Sequence, residues 1–558
     1  MADDRTERRL AMHDAFVERG FRRVPSGGVD VYEGTLSITS GHVPVTVLVP
    51  DLDFVTMPLV HISERWRGPD RRLPHLGPSR LVCYYAHGSV VLDRYDPGGT
   101  IARCVERAAR VLDDAVEGRS DADFGDEFDA YWFARWMLCD LPDGYSGAAN
   151  IIYPRLSAAG EPTPVLVAGP SWARDRDPPR RADGPEETAL VISLDAPLTL
   201  NPEGKWPPAD YDELVEWLRW ADPALPDSLE EALSLGTGRQ ATLAIRAMNG
   251  TFACRITVPT PMRTAEFLVN RRSTLARNLA RAVGQVSLER ITTDSADLGF
   301  VYGRNLGSRG GLAGRSVAVV GCGTIGSFLA HQLAQCGAGT AGGRLHLVDI
   351  DVLRTANLGR HLLGVPFLHR NKAEACAGYL NAMMPGASVE WSAQDVQEVA
   401  ELRKFDLVVD ATGEEALSLA LNQAAVDQRP TGPALLFVWL MGNGAAAQCL
   451  LMDGDAGAAC LKCLKPELAG PPLHPVMRPG VEIEFGAVES CADGEFVTFP
   501  VSRSVSAAAL ACDLALDWAA GRPSHRFRTR TFEPEKAFEV EDSSPGVTDR
   551  CPACSTKH

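Results

Sequence analysis

Two cysteine pairs, Cys460-Leu-Lys-Cys463 and Cys551-Pro-Ala-Cys554, have the spacing at which thiolates share one metal ion. Four thiolates suit a tetrahedral structural Zn²⁺. The 87 residues between the pairs are too many for a compact finger, so the ion would clamp the end of the chain onto the domain that carries the first pair. Neither pair opens a helix of a thioredoxin-like βαβ unit, which disfavours a redox role. Upstream, Ser316-Val-Ala-Val-Val-Gly321-Cys-Gly323-Thr-Ile-Gly326-Ser327 reads as a strand running into G-x-G-x-x-G and then a helix. The glycines allow a tight turn and bring phosphate close to backbone N–H groups at the positive helix end. Asp349 ends the next strand, 23 residues after Gly326, well placed for ribose hydroxyls. Together these indicate an adenine nucleotide on a Rossmann-like sheet.

The residues downstream of that strand separate a triphosphate from a dinucleotide. The run Val348-Asp349-Ile-Asp351-Val-Leu-Arg-Thr-Ala-Asn357-Leu-Gly-Arg360 precedes Asn371-Lys372, and Val408-Val-Asp410-Ala-Thr-Gly413 ends a further strand. Two cations, an amide and an extra carboxylate exceed the needs of a dehydrogenase at its diphosphate. They suit ATP, with Arg360 and Lys372 neutralising phosphate oxygens and Asp410 holding Mg²⁺. Of the ten cysteines outside the paired set, two are candidate nucleophiles. Cys491 lies in Glu489-Ser-Cys491-Ala-Asp-Gly494, between the pairs and just before the helical Val505–Ala519. Cys83 lies in Pro74-His75-Leu-Gly-Pro-Ser-Arg-Leu-Val-Cys83-Tyr-Tyr. A thiolate is the best side-chain nucleophile for capturing an activated acyl group. A small core cysteine is the alternative for each.

The elements that must position these residues fall into three stretches. Over 1–150, a helical segment at residues 5–22 precedes alternating runs at Val29–Ile38, Val43–Val49 and Leu59–Ser63, an antiparallel meander. Cys83 comes next, then the turn Pro97-Gly98-Gly99 and an amphipathic helix, Thr100–Ala115. Over 151–290, strand-like runs (Ala189–Ser193, Ala241–Ile245, Phe252–Val258) mix with helical ones (Tyr211–Trp220, Ser273–Val283), and the charged stretch Ser171–Thr188 reads as a linker. No motif stands out there, and a connecting α/β domain is expected. Over 291–558, short apolar runs at Ser316–Val320, Arg344–Val348, Asp406–Asp410 and Ala434–Val438 alternate with helical segments, the signature of parallel βαβ units. The expected fold class is a multidomain α/β chain.

The D-x-D, N-L-x-R, downstream Lys and D-x-T elements resemble the ThiF/MoeB/ubiquitin-activating superfamily of adenylating enzymes in order and spacing. That resemblance implies a Rossmann-like adenylating domain with a four-cysteine zinc site. In it, Gly321, Gly323 and Gly326 would form the nucleotide loop, Asp349 and Asp351 the D-x-D pair with Asp349 on the ribose, and Asn357, Arg360 and Lys372 the phosphate contacts. It also makes Cys491 the thioester nucleophile, in the segment after the first C-x-x-C. Arg304, in Gly303-Arg304-Asn305, is a candidate for the arginine that such enzymes present to the γ-phosphate, often across a dimer; an ordinary surface arginine is the alternative.

The stretch around Cys83 looks like a ubiquitin-conjugating (UBC-like) fold, an α+β domain, although Leu76-Gly77 stands after His75 where the usual element is His-Pro-Asn. The missing Asn leaves the oxyanion of aminolysis without an assigned donor. Asp123-Phe-Gly-Asp-Glu-Phe-Asp-Ala-Tyr131-Trp132 resembles an extension of bacterial members of this class. Conjugating-like, connecting and activating stretches in one chain resemble the bacterial ubiquitin-transfer proteins of CBASS antiphage operons. The resemblance implies that the chain adenylates a protein C-terminus, that of the operon's CD-NTase, and passes it from Cys491 to Cys83 and on to target lysines. A homodimer is also implied. The rival expectation is a sulfur-carrier adenylyltransferase of the ThiF/MoeB type, in cofactor or peptide biosynthesis, which has no use for Cys83.

Composition sets the limits. The 558 residues are 45% hydrophobic and 23% charged, ordinary globular usage. A net charge of −17 argues against a general nucleic-acid binder. The charged start Met1-Ala2-Asp3-Asp4-Arg5 lacks the apolar run of a signal peptide, and the longest apolar stretch, near Pro433–Met441, is about half of a bilayer span. A cytoplasmic protein with no membrane partner is expected, its fourteen cysteines serving as ligands, nucleophiles or core residues rather than disulfides.

Overall fold

The computed structural model describes residues 2–554 except His87, 157–159, 177–186, 236–239, 258–285, 396–401, Leu468 and 487–495. The expected helix at Ser273–Val283 and the nucleophile expected at Cys491 lie outside the described residues. The chain forms two compact units, Met1–Gly169 with Arg181–Asp294, and Pro170–Arg180 with Ser295–His558.

The first unit opens with the helix Ala2–Glu18 and an antiparallel sheet in meander order: β1 (Arg22–Val24), β2 (Asp30–Ile38), β3 (Gly41–Val49) and β4 (Leu59–Ile62). Alternation along β3 buries Val43, Val45, Val47 and Val49, which pack with Tyr32, Leu36, Phe16 and Met12. Phe16 stacks on Tyr32 with ring centroids 3.9 Å apart. Each such burial contributes about 1.5–3 kcal/mol. The second helix starts at Pro97, earlier than expected. Asp96 caps it, accepting from the Gly99 N–H at 2.8 Å, and proline suits the first helical position, where no N–H is needed.

The connecting stretch, expected over 151–290 as an α/β domain, combines helices with a closed seven-stranded barrel. Its strands are β5 (Arg135–Asp140), β6 (Gly147–Ile152), β7 (Val165–Val167), β8 (Glu187–Ser193), β9 (Gln240–Ala247), β10 (Gly250–Thr257) and β11 (Ser287–Ser295), closing in the order β10-β11-β5-β7-β6-β8-β9. β5 and the start of β6 precede residue 151, so the barrel begins inside the stretch assigned to the conjugating-like domain. The order is illegible in the chain because β5 pairs between β7 and β11, partners far apart in sequence. The helices Tyr211–Ala221 and Leu225–Leu235 cover it, and Phe128, Trp132, Trp206, Trp217 and Phe252 fill the contact. The expected linker Ser171–Thr188 contains a helical turn, Trp172–Arg176, and its last residues enter β8.

The second unit is a seven-stranded sheet of β12 (Val317–Val320), β13 (Leu345–Val348), β14 (Val389–Ser392), β15 (Leu407–Asp410), β16 (Ala434–Met441), β17 (Ala446–Met452) and β18 (Phe527–Thr531), ordered β14-β13-β12-β15-β16-β17-β18. The first five of that order run parallel; β17 pairs antiparallel with β16 on one side and with β18 on the other. Helices Gly326–Gln335, Lys372–Met383 and Val501–Ala519 bury the sheet on one side. Among the described residues no helix is long and apolar enough to cross a membrane.

Candidate functional site

β12 lies between β13 and β15, where the strand order reverses, and loops at the carboxyl ends of strands diverge there into a crevice. Val320 is in register with Val348 and with Asp410. The Gly321 loop, Asp349 and Asp410 therefore converge, as the sequence reading required. The three glycines serve different needs. Gly321 has φ +85°, and a Cβ there would meet Thr412 at 2.9 Å. A Cβ at Gly326 would lie 1.8 Å from the Gly321 carbonyl oxygen. Gly323 has no protein atom within 4 Å of its missing Cβ and leaves room for a ligand.

Both oxygens of Asp349 take backbone N–H groups, from Cys322 at 2.7 Å and Asp351 at 2.8 Å, so this carboxylate shapes the glycine loop. Its burial raises its pKa. Lys372 is buried and its Nζ donates to Asp351 Oδ2 at 2.8 Å. Asn371 holds the same corner, donating to the Asp349 and Asp351 carbonyls at 2.7 and 3.1 Å. Asn357 Oδ1 accepts the Arg354 N–H at 2.9 Å and sets the turn before Arg360, whose guanidinium lies 5.4 Å from the Phe496 ring centre. Asp410 is buried; Oδ1 accepts from the Thr412 N–H and hydroxyl at 3.0 and 2.7 Å, and Oδ2 accepts from Ser418. Thr324 and Ser504, which the sequence reading missed, tie this loop to the helix Val501–Ala519: the Thr324 hydroxyl donates to the Arg360 carbonyl at 2.7 Å and lies 2.8 Å from the Ser504 hydroxyl. Arg304 is not drawn into this group. It is exposed, with its guanidinium 5.5 Å from the Phe300 ring centre on its own short helix.

The four paired cysteines do come together. Their Sγ atoms lie within 4.8 Å of one another, all buried, with Cys460 3.8 Å from Cys463, 3.7 Å from Cys551 and 3.4 Å from Cys554. Tetrahedral Zn–S bonds of about 2.3 Å require S···S separations of about 3.8 Å, so the donor set fits that ion. The chain end is further tied by the Ala459 N–H to the Pro545 carbonyl, 2.9 Å, and the Val547 N–H to the Gly457 carbonyl, 3.1 Å.

In the first unit, Cys83 sits in an extended segment whose alternation buries Val82 and Tyr84 and turns the cysteine outward, where it is exposed. Its N–H donates to the His75 carbonyl at 2.8 Å. His75, with φ +59°, is clamped: Nδ1 lies 2.6 Å from Glu127 Oε1 and Nε2 2.7 Å from Asp123 Oδ2, while its N–H donates to Glu127 Oε2 at 3.1 Å. Carboxylates only accept, so both ring nitrogens carry hydrogen and the ring is an imidazolium. The Glu127 bond, against the cost of burial and with help from Asp123, raises the His75 pKa to about 9. Burial and then the Glu127 charge raise the Cys83 thiol. Asp123, Glu127 and Tyr131, absent from the sequence-derived site, repeat every fourth residue on one stripe of a helical segment, while Phe124, Phe128 and Trp132 form the buried stripe beside it. That spacing was the available signal.

The clamp has a pH signature. Because the folded-state pKa lies above the ordinary 6.5, its stabilisation is whole below about pH 6.5 and is lost as pH rises through about 9. Denaturant titrations of wild type and His75→Gln should show a stability gap that closes across that window. A gap independent of pH would mean that the ring is neutral.

Residues 307–533 match the ThiF family, and residues 19–136 match Prokaryotic E2 family B. The "ATP-dependent ubiquitin transferase-like protein Cap2" of Pseudomonas aeruginosa is 32% identical over 91% of this chain and 91% of its own length. This chain belongs to the Cap2 family. It is thus a CBASS ubiquitin-transfer protein, an ATP-dependent ubiquitin-like activating and conjugating enzyme in which a ThiF-type adenylating fold follows an E2-like domain. The Escherichia coli Cap2 is 24% identical over 77% of this chain and 78% of its length. Among solved structures, the likeness to E. coli MccB with MccA-N7isoASN covers 43% of this chain and 67% of that one, at 19% identity and a TM-score of 0.33.

Proposed function

We propose that this Cap2-family chain adenylates the C-terminal carboxylate of a partner protein, the CD-NTase of its operon, and delivers it through two cysteines to a lysine amine. The carboxylate attacks the α-phosphorus of ATP at the Gly321–Gly326 loop and pyrophosphate leaves. The Cys491 thiolate takes the acyl group and AMP leaves. Cys83 exchanges for Cys491, and the acceptor amine then forms an amide and frees Cys83. Asp349 serves the ribose; Asn357, Arg360 and Lys372 serve the phosphates. Lys372 is held on Asp351 until a phosphate competes for it. Asp410 Oδ2 keeps a lone pair beyond its Ser418 bond, so one carboxylate oxygen is available to a Mg²⁺ that otherwise takes phosphate and water. Bound there, Mg²⁺ would neutralise phosphate charge. A Zn²⁺ on Cys460, Cys463, Cys551 and Cys554 would be structural, and a homodimer could bring Arg304 to a γ-phosphate.

The observation that carries this reading is the exposed Cys83 in an extended segment of the E2-like domain, in the same chain as a glycine loop that leaves open space at Gly323. A sulfur-carrier adenylyltransferase needs only the second. Fusing the two also raises the effective concentration of one cysteine for the other. Cys491→Ala should retain ATP–pyrophosphate exchange and form no thiol-labile adduct. Cys83→Ala should accumulate the Cys491 adduct and stall, with conjugation down by about 100-fold or more, as for loss of a nucleophile. Normal conjugation by Cys83→Ala would end the two-cysteine relay.

A further inference from the structure

A conjugating cysteine must accept an acyl group and then surrender it to an amine that arrives as an ammonium ion. The polar surroundings of Cys83 are unequal to the usual arrangement. A Cβ at Gly77 would lie 3.9 Å from the Cys83 Sγ, so a residue close to the sulfur offers no side chain, and its N–H is already given to the Leu81 carbonyl at 2.8 Å. What the fold does bring to this segment is negative charge. Asp123 and Glu127 flank the His75 imidazolium, and two carboxylates against one cation leave one negative charge over. The cluster is joined to the cysteine through the Cys83 N–H on the His75 carbonyl. It is reachable, since the Asp123 side chain is 41% exposed and that of Glu127 26%.

We propose that Asp123 and Glu127, held on His75, bind and orient the acceptor ammonium for attack on the Cys83 thioester, forming the amine-selecting half of the conjugating site. This rests on the reading of Cys83 as the acyl acceptor. His75 and Tyr131 are positioning residues: the Tyr131 hydroxyl donates to Glu127 Oε2 at 2.9 Å. Glu127 is a poor proton acceptor. Burial raises its pKa, but the bonds and charge of His75 outweigh that and hold it below the usual carboxylate range. It therefore acts as a fixed anion. The ammonium sheds one proton to water as it becomes nucleophilic. Its nitrogen bonds to the acyl carbon, the C–S bond breaks, and a second proton passes to the departing Cys83 sulfur. Together with burial, the same charge that attracts the amine disfavours the Cys83 thiolate.

The test uses the full chain carrying Cys491→Ala, loaded at Cys83 from a glycine-terminated peptide thioester of mercaptoethanesulfonate and located by peptide mapping. Discharge is followed with free lysine and with hydroxylamine, which is uncharged at neutral pH. Glu127→Gln and Asp123→Asn should each slow discharge to lysine by about tenfold, the scale of a hydrogen bond to a charged group, and leave discharge to hydroxylamine unchanged. Glu127→Gln should also speed alkylation of unloaded Cys83 by iodoacetamide at neutral pH. Asp123→Asn, at the more exposed carboxylate, keeps the test alive if circular dichroism shows Glu127→Gln unfolded. Lysine discharge at the wild-type rate overturns the inference, and so does equal slowing with both nucleophiles, which marks a structural role. If no acyl group maps to Cys83 in the otherwise wild-type chain, the acceptor reading fails and takes the inference with it.

Discussion

Gly326→Ala is expected to reduce ATP–pyrophosphate exchange by about 100-fold or more, the loss that a displacement of about 1 Å in a reacting site can produce. A Cβ at this position would sit 1.8 Å from the Gly321 carbonyl oxygen and 3.3 Å from the Ala411 side chain. Neither neighbour can yield freely. The Gly321 N–H is bonded to the Val348 carbonyl at 2.8 Å, and Ala411 follows β15 with its own N–H on the Val320 carbonyl at 2.9 Å. Relieving the clash must therefore move the glycine loop away from Asp349 and the start of the helix Gly326–Gln335. Gly323→Ala is the informative contrast. Its Cβ would meet no protein atom within 4 Å, so thermal stability should match wild type while nucleotide affinity falls. Melting curves and equilibrium ATP binding on both variants separate the two effects. Exchange by Gly326→Ala at the wild-type rate would show that this loop does not hold the nucleotide.

Removing the metal expected at the four cysteines is the second large effect. The chain end contributes Cys551, Ala553 and Cys554 to a buried cluster with Cys460, Cys463, Leu464, Phe437 and Leu450, on the sheet face that β16 and β17 present. The S···S distances match a tetrahedral thiolate site, whereas four thiols without an ion would meet one another only through weak S–H contacts. Elemental analysis should find one zinc per chain. At a metal concentration a thousand times its dissociation constant, the ion contributes about 4 kcal/mol to the folded state. Chelation, or Cys551→Ser with Cys554→Ser, should lower the melting temperature by that measure and expose the chain end to proteolysis. A metal-free chain with an unchanged melting curve would rule the site out.

How much of this was legible depended on distance along the chain. The glycine loop, Asp349 and the two C-x-x-C pairs announce themselves because each is a local pattern with its own backbone requirement, and the meander of β2, β3 and β4 comes from alternation between neighbouring stretches of chain. Arg360 and Lys372 were readable as cations but not as partners; that Lys372 rests on Asp351 and Arg360 on Phe496 emerges only after packing. The closure of the barrel was not legible, because it joins strands from both ends of a long stretch and short apolar runs look alike whatever form of sheet they enter. The clamp on His75 was missed for a similar reason. The chain itself determined which chemistries were on hand: a phosphate-binding turn, a thiolate quartet and a cysteine beside a histidine. Only the tertiary structure decided that Asp123 and Glu127, 48 and 52 residues downstream of His75, close on its ring. Coulombic and hydrogen-bond energies depend on separations of a few ångströms, and folding sets those separations between residues far apart in sequence.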